Sequence, residues 1–326
     1  MNSFGNIFKT TIFGESHGPC IGINIDGCPA GISLTEDDFV FDLERRKPGA
    51  RGTTPRKEDD LPEIASGCFN EYTTGAPLTI LFANRNVRSG DYDHLRNRPR
   101  PGHADFVAAR RYKGFNDPRG GGHFSGRLTL ALVAAGVVAK KLLKDVGINA
   151  TIIKAGGRSD INAAVEEALA FGDSIGGLVE CRAENIPVGW GEPFFDPVES
   201  VISHLAFAVP AIKGIEFGSG FAAASMKGSE HNDAIVDESG KTASNNAGGI
   251  SGGLTNGNEL LFRVAVKPTS SISKKQETLN VKSGKMEALE VKGRHDACIA
   301  LRVPVVIEAI TAVALADLKL QHKALG

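Results

Sequence analysis

The sequence predicts a mixed class, α+β or α/β, folded as one large domain spanning residues 1–326. Segments with strand-like alternation are interspersed along the chain with longer segments of helical period. The 39 glycines exceed average usage and point to many turns and close backbone approaches, which a helical bundle does not need. No internal repeat, low-complexity tract or linker divides the chain.

Taken in order, residues 8–13 and 21–25 read as two strands, the second with rough alternation, and residues 27–32 as a Gly/Pro turn. Thr35 followed by Asp38 is a capping arrangement that opens a helix running to about Arg46. Residues 48–60 are polar and glycine-bearing, hence a loop, and residues 79–83 a strand. Residues 84–122 lack clear periodicity, and a loop of that length in a compact protein is functional or disordered. Residues 128–144 form an Ala- and Leu-rich helix ending in Lys140, Lys141 and Lys144, where cations suit the helix dipole. Residues 161–171, 198–208 and 305–320 read as helices, and 174–181 and 260–266 as strands.

Composition narrows the function classes. With 41% hydrophobic and 23% charged residues the chain has ample core material, and a net charge of −1 gives no global pull toward nucleic acid or membrane. Cys20, Cys28, Cys68, Cys181 and Cys298 are scattered and contain no Cys-x-x-Cys pair, which fits free thiols in a reducing compartment. The N-terminus lacks a basic region followed by an apolar core, and the apolar run at 128–139 is too short to span a bilayer. A cytoplasmic protein is expected.

The chemistry-bearing residues sit in the irregular segments. Gly14-Glu15-Ser16-His17-Gly18 joins two strands and places a proton-carrying histidine and a hydroxyl at the tip of a connection. Arg45, Arg46, Lys47, Arg51, Arg56 and Lys57 form one basic cluster. Arg85, Arg88, Arg96, Arg98, Arg100, Arg110, Arg111, Lys113, Arg119 and Arg127 form another, opposed only by Asp91, Asp93, Asp105 and Asp117. Arginine's planar fork suits phosphate and carboxylate oxygens, so an anionic ligand is indicated over a merely solvated face.

Arg119-Gly120-Gly121-Gly122-His123-Phe124-Ser125-Gly126-Arg127 runs into the helix at 128 and has the character of a phosphate-binding loop. It is neither the Walker nor the dinucleotide pattern. His103, in Arg100-Pro101-Gly102-His103-Ala104-Asp105, and His295-Asp296 match no standard metal spacing. Lys267-Pro268-Thr269-Ser270-Ser271 adds a lysine and hydroxyls at a strand end.

Together these motifs resemble, in kind and order, those of the chorismate synthase family. The resemblance covers nearly the whole chain, and Gly14–Gly18 and Gly293-Arg294-His295-Asp296 are close to that family's signatures. It implies the family's α+β sandwich, with helices packed between antiparallel sheets, and a homotetramer. It also implies a carbon–oxygen lyase acting on phosphates: the 1,4-anti elimination of phosphate from 5-enolpyruvylshikimate 3-phosphate to give chorismate. That reaction belongs to the shikimate pathway of aromatic amino acid biosynthesis. It requires reduced FMN without net redox change, the flavin donating an electron transiently.

The implied roles follow residue by residue. His103 resembles the histidine that protonates the departing phosphate, His17 the one that hydrogen-bonds reduced flavin, and Asp296 the carboxylate that helps take up the substrate's C6 proton. Ser16, Arg46, Arg51 and Arg119 resemble substrate contacts. His123, Phe124, Ser125, Ala211, Gly252, Lys267, Pro268, Thr269, Ser270, Ser271 and Arg294 match flavin-contacting positions. The chain departs from the family at 123–128, where His123 and Phe124 replace an arginine and a small residue and an acidic residue is missing. It departs again at Pro210, where a polar residue is usual, and it is short between about 154 and 171. The brevity favours an external flavin reductant; reduction of its own flavin by NADPH is not readable from the residues.

The alternatives carry less of the pattern. A nucleic-acid binder would need stacking aromatics in a recognised module, and Tyr92, Phe106, Tyr112 and Phe115 form none. A metal-dependent phosphatase would need carboxylate-rich ligand sets, which are not found. A catalytically impaired flavin-binding relative with a structural or regulatory role is the remaining alternative, suggested by the changes at 122–129.

Overall fold

Ile21, Ile23 and Ile25 alternate with smaller or polar residues, and all three are fully buried. Leu78, Ile80 and Phe82 on a neighbouring strand do the same. Each side chain removed from water this way contributes on the order of 1.5–3 kcal/mol, which makes this sheet face one wall of the core. The computed structural model describes residues 1–54, 58–86, 95–291 and 295–325.

In chain order the elements are β1 (Ser3–Phe4), β2 (Lys9–Gly14), β3 (Cys20–Asp26), α1 (Val40–Arg46), β4 (Glu63–Ser66), β5 (Cys68–Phe69), β6 (Tyr72–Thr73), β7 (Leu78–Ala83), α2 (Asp105–Arg111) and α3 (Thr129–Leu143). There follow β8 (Gly147–Ala155), α4 (Ile161–Ala170), β9 (Gly177–Glu184), α5 (Val198–Ala208), β10 (Ile212–Phe217), α6 (Gly228–His231), β11 (Ile250–Ser251), β12 (Leu254–Thr255), β13 (Leu260–Val266), β14 (Gln276–Asn280), β15 (Lys285–Leu289) and α7 (Pro304–Leu325). One antiparallel sheet has the order β1-β2-β3-β7-β4 and a second the order β10-β13-β9-β8. Between them lie two helical layers. The α3 helix packs on β2 and β3 and on α7, while α7 covers β8 and β9 and α5 covers β10. This is the α+β sandwich with helices between antiparallel sheets.

The central helix pair packs closely. A β-carbon at Gly136 would fall 2.3 Å from Cβ of Ala309, so only a glycine opposite an alanine lets α3 and α7 approach this far. At the far side, Asp317 of α7 accepts hydrogen bonds from the backbone N–H groups of Asn6 (2.9 Å), Ile7 (2.7 Å) and Phe8 (2.8 Å). That buried carboxylate ties down the segment that leads into β2, and so fixes the base of the loop holding Ser16 and His17.

Several elements depart from the sequence reading. The strand expected at 174–181 is observed at Gly177–Glu184. Ser174 is diverted, its hydroxyl donating to Thr269 O at 2.7 Å, and a β-carbon at Gly176 would fall 2.4 Å from Val266 O. The β8 strand carries Asn149 and Lys154 on an open edge, so its apolar alternation is diluted. Within the expected loop at 84–122, residues 105–111 form α2, which buries only Ala108 and therefore shows no apolar stripe.

Candidate active site

Two loops build the floor of the site. The 15–19 connection between β2 and β3 is closed by Asn84, whose amide donates to Glu15 O (3.0 Å) and Gly18 O (2.8 Å). The glycine-rich loop then lies across it. Ser16 N donates to Gly122 O at 3.1 Å, and His123 Nδ1 donates to Gly14 O at 2.8 Å. Gly120, Gly121 and Gly122 all have positive φ (58°, 84° and 54°), a conformation side-chain-bearing residues avoid. The expected anion cradle of free N–H groups is only partly available, because Gly121 N is bonded to Pro118 O and Ser125 N to Gly122 O.

Above this floor lies a cleft of about 700 Å³. Its walls are residues 123–126, the turn at 209–213 after α5, residues 267–271 after β13, and His103 with Gly102. Ala211 sits at φ +78°, a strained setting for a non-glycine residue, and its carbonyl accepts Lys267 N at 2.9 Å. Lys267 Nζ bonds to Gly102 O (2.5 Å) and Ser270 Oγ (2.9 Å). Burial and the neighbouring Lys213 hold the Lys267 ammonium below its usual pKa, so the wall is short of negative charge.

A smaller chamber of about 210 Å³ shares Gly120, Ser125, Thr129 and Ser271 with the cleft. Its charged lining is Arg46, Arg127 and Arg302 against Glu58, Asp60 and Asp296. Arg46 is buried, its guanidinium donating to Thr129 Oγ1 (3.0 Å), Gly126 O (3.2 Å) and Arg127 O (3.1 Å), with Asp60 Oδ2 at 3.5 Å. Burial first, then the nearby Arg302, pushes its pKa down to about 9. Arg127 Nη1 meets Asp60 Oδ1 at 2.9 Å, while its buried Nη2 has no partner. Asp296 Oδ1 accepts Thr54 N at 2.9 Å, and its contact with Arg302 is long, 3.4 Å. Ser16 Oγ, Thr269 Oγ1 and His295 Nε2 are further buried polar atoms lacking a partner. Orphaned buried donors cost stability unless something meets them, so Arg127, Thr269 and His295 suit this chamber to a polar guest.

On the opposite wall, Arg100, His103 and Asp105 form one cluster. Arg100 grips Asp105 through Nε–Oδ2 and Nη2–Oδ1, both 2.8 Å, and reaches Ser271 Oγ at 3.0 Å through Nη1. His103 Nδ1 stands 2.6 Å from Asp105 Oδ1. Burial raises the Asp105 pKa, but the hydrogen bonds from Arg100 and His103 outweigh it and hold the carboxyl well below its usual range.

The profile of the family described as chorismate synthase matches residues 8–320. A chorismate synthase of Chitinophaga pinensis is 66% identical over 321 residues, covering 98% of this chain and 97% of that one. One from Dehalococcoides mccartyi is 46% identical, again covering 98% and 97%. A crystal structure of chorismate synthase superposes with a TM-score of 0.76 at 25% identity, covering 98% of this chain and 93% of that chain.

The chain belongs to the chorismate synthase family.

It is therefore a lyase and an enzyme of the shikimate pathway, and the alternative of an impaired relative draws no support from these likenesses. Of the residues singled out by the family resemblance, the fold brings His103, His123, Phe124, Ser125, Ala211 and residues 267–271 to the cleft, and Arg46 and Asp296 to the chamber. Ser16 and His17 are buried directly beneath Gly120, which lines both spaces.

Three are placed elsewhere. Arg51 is exposed and bonds Glu166 Oε2 at 2.6 Å. Arg119 is exposed and bonds Asp117 at 2.9 and 2.7 Å. Gly252 forms the turn between β11 and β12. The adjoining Gly253 O accepts Val198 N at 3.0 Å, at the N-terminus of α5, whose C-terminal end lines the cleft. Gly252 itself does not line the cleft. Arg294 lies outside the described residues, as do Arg56, Lys57, Arg88, Asp91, Tyr92 and Asp93.

Sequence reasoning named Arg127 only within the basic cluster and the glycine-rich loop, and assigned no role to Arg302, Asp60 or Asp105. Arg127 stood at the end of the glycine-rich motif and Asp105 at the end of the His103 motif, so both were in view. Nothing in the chain marks Arg302 or Asp60, which meet the others only through folding.

Proposed function

We propose that the cleft and chamber together convert 5-enolpyruvylshikimate 3-phosphate into chorismate and phosphate, with reduced FMN seated along residues 123–125, 211 and 267–271. The observation that carries this reading is the chamber's three clustered guanidinium groups, one of which keeps a buried, unpartnered nitrogen. Arg46, Arg127 and Arg302 face a carboxylate set in which Asp60 is shared by two of them and Asp296 is only loosely held. A substrate bearing a phosphate and two carboxylates offers oxygens to these guanidinium groups and meets the orphaned Arg127 Nη2.

The flavin fits the larger space on chemical grounds. The cleft has the volume of an ordinary cofactor pocket, roughly 300–1,000 Å³. Lys213, Lys267 and the hydroxyls of residues 269–271 suit its phosphate and polar edge, and the buried Thr269 Oγ1 awaits a partner. When bound, reduced flavin supplies an electron reversibly, so the elimination needs no net oxidant.

The protein's own groups do the rest. The arginines orient the substrate anions. His103 gives a proton to the departing phosphate oxygen, which lowers the barrier to carbon–oxygen cleavage. Asp296, held by Thr54 N, holds the proton that leaves carbon. Burial of Ser16 and His17 beneath the glycine loop keeps water from the reacting face.

This reading takes reduced flavin from an external reductant and a cytoplasmic setting, which suits the free thiols of all five cysteines. No helix of the described residues is long and apolar enough to cross a membrane. It also takes a homotetramer, supported by Phe194, Phe195 and Phe221 at 91, 90 and 81% exposure, a heavy apolar load for a monomer's surface.

The test is equilibrium binding followed by flavin absorbance under anaerobic conditions. Reduced FMN should bind more tightly when 5-enolpyruvylshikimate 3-phosphate is present, and phosphate should be released stoichiometrically. Failure of a folded sample to bind either molecule contradicts the proposal.

A further inference from the structure

We propose that Asp105 is a positioning residue that locks His103 in the tautomer protonated at Nδ1, so that Nε2 is the atom that exchanges a proton with the ligand. This deepens the reading of His103 as the phosphate-protonating group and rests on it.

Two contacts compete for His103 Nδ1. Asp105 Oδ1 lies at 2.6 Å and Arg100 Nη2 at 3.1 Å. A ring nitrogen without a proton would set two lone pairs against each other at 2.6 Å, beside an ionised carboxylate. With a proton on Nδ1, the same distance is a short charge-assisted hydrogen bond. Arg100 Nη2 does not need the ring, because Asp105 Oδ1 accepts it at 2.8 Å. The shorter contact therefore decides the tautomer: Nδ1–H donates to Asp105.

Arg100 makes this arrangement rigid. Asp105 Oδ2 accepts both Arg100 N (3.1 Å) and Arg100 Nε (2.8 Å), so the carboxylate cannot rotate without losing two bonds. The other end of the ring faces the glycine loop: a β-carbon at Gly121 would lie 3.4 Å from His103 Cε1 and 3.5 Å from Nε2. The Nε2 edge thus lies beside the loop that floors the cleft, while Nδ1 is turned into protein. The charged and titratable groups around the cluster are Arg100, Asp105, Lys267 and His295 on the cleft side, and Arg96, Arg110, Lys113 and Asp117 across the adjacent recess.

The proton balance is simple. The imidazolium gives its Nε2 proton to the phosphate oxygen, which takes the bonding pair of the breaking carbon–oxygen bond. The ring is left neutral with its Nδ1 proton in place, and Asp105 stays ionised throughout.

Asp105→Asn tests the assignment. Arg100 N and Nε demand an acceptor at the Oδ2 position, so the amide nitrogen falls against His103 Nδ1 and drives the ring to the other tautomer. Nitrogen-15 NMR of histidine-labelled protein, assigned with His103→Gln, should show Nδ1 protonated and Nε2 bare in the neutral wild-type ring, and the reverse in Asp105→Asn. Phosphate release should drop roughly 10²–10⁴-fold, with its high-pH limb moved to lower pH. Affinity for reduced FMN should stay within about threefold. A wild-type ring protonated at Nε2, or an unmoved pH limb in Asp105→Asn, overturns the proposal. The wild-type spectrum needs no turnover. A protein with the Nδ1–H tautomer that releases no phosphate would refute the proposed function while leaving this assignment standing.

Discussion

A β-carbon added to Gly120 would lie 2.5 Å from Cδ2 and 2.6 Å from Nε2 of His17. Ser16 Oγ would be 3.0 Å away, and the residue already sits at φ +58°. The glycine loop and the Ser16–His17 loop are therefore packed as one unit, with no room for a side chain between them. Gly120→Ala should displace His17 or strain the loop at a cost of about 1–3 kcal/mol. The expected result is a lower Tm and at least a tenfold loss of kcat. Unchanged values in both would show that the loops are not coupled.

The crossing of α3 and α7 makes a separate prediction. Gly136→Val places a branched side chain where Ala309 Cβ already stands, and overpacking of this kind costs about 1–3 kcal/mol. Neither Gly136 nor Ala309 itself lines the cleft or the chamber, so thermal melts should shift down by several degrees while activity per folded molecule is kept. A melt equal to wild type would mean that the helices separate at no cost.

His103 supplies the third prediction. Replacing it with glutamine keeps the volume and removes the exchangeable proton, so steady-state phosphate release should fall roughly 10²–10⁴-fold with little change in KM. A near-normal rate would remove His103 from the reaction.

Stability toward acid follows from Glu308, buried on α7. Burial raises its pKa, but Arg45 (2.7 and 2.6 Å), Lys140 (3.2 Å) and Ala150 N (3.0 Å) outweigh that and lower it. A depressed folded-state pKa contributes stability that is complete above the unfolded value, about 4.3, and is lost as pH falls toward the folded value. Melts of wild type and Glu308→Gln should therefore differ most near pH 7 and converge below about pH 4. A gap that stays constant with pH would rule out this linkage.

Much of the architecture was legible locally. The alternation around Ile23, the Ala- and Leu-rich run of α3 and the Thr35–Asp38 cap each express their structure within a few residues, and the fold follows them. What was not legible depended on contacts made at a distance. The β8 strand is an exposed edge with polar residues on its open side, and α2 lacks a buried stripe, so neither announces its period. The site divides the same way. His103, Ser125 and residues 267–271 lie in conspicuous motifs, whereas Asp60 and Arg302 have no local mark and gain their roles only by meeting Arg46, Arg127 and Asp296. Gly252 shows the reverse case: a residue singled out by resemblance that does not line the cleft.

The central claim is that this chain makes chorismate at the cleft and chamber described. The most direct measurement is an anaerobic assay with 5-enolpyruvylshikimate 3-phosphate and chemically reduced FMN, following chorismate absorbance, with oxidised FMN as control. The account predicts turnover with reduced flavin, none with oxidised flavin, and near-abolition in His103→Gln. A well-folded protein that gives no chorismate, or one indifferent to the flavin's redox state, would contradict it.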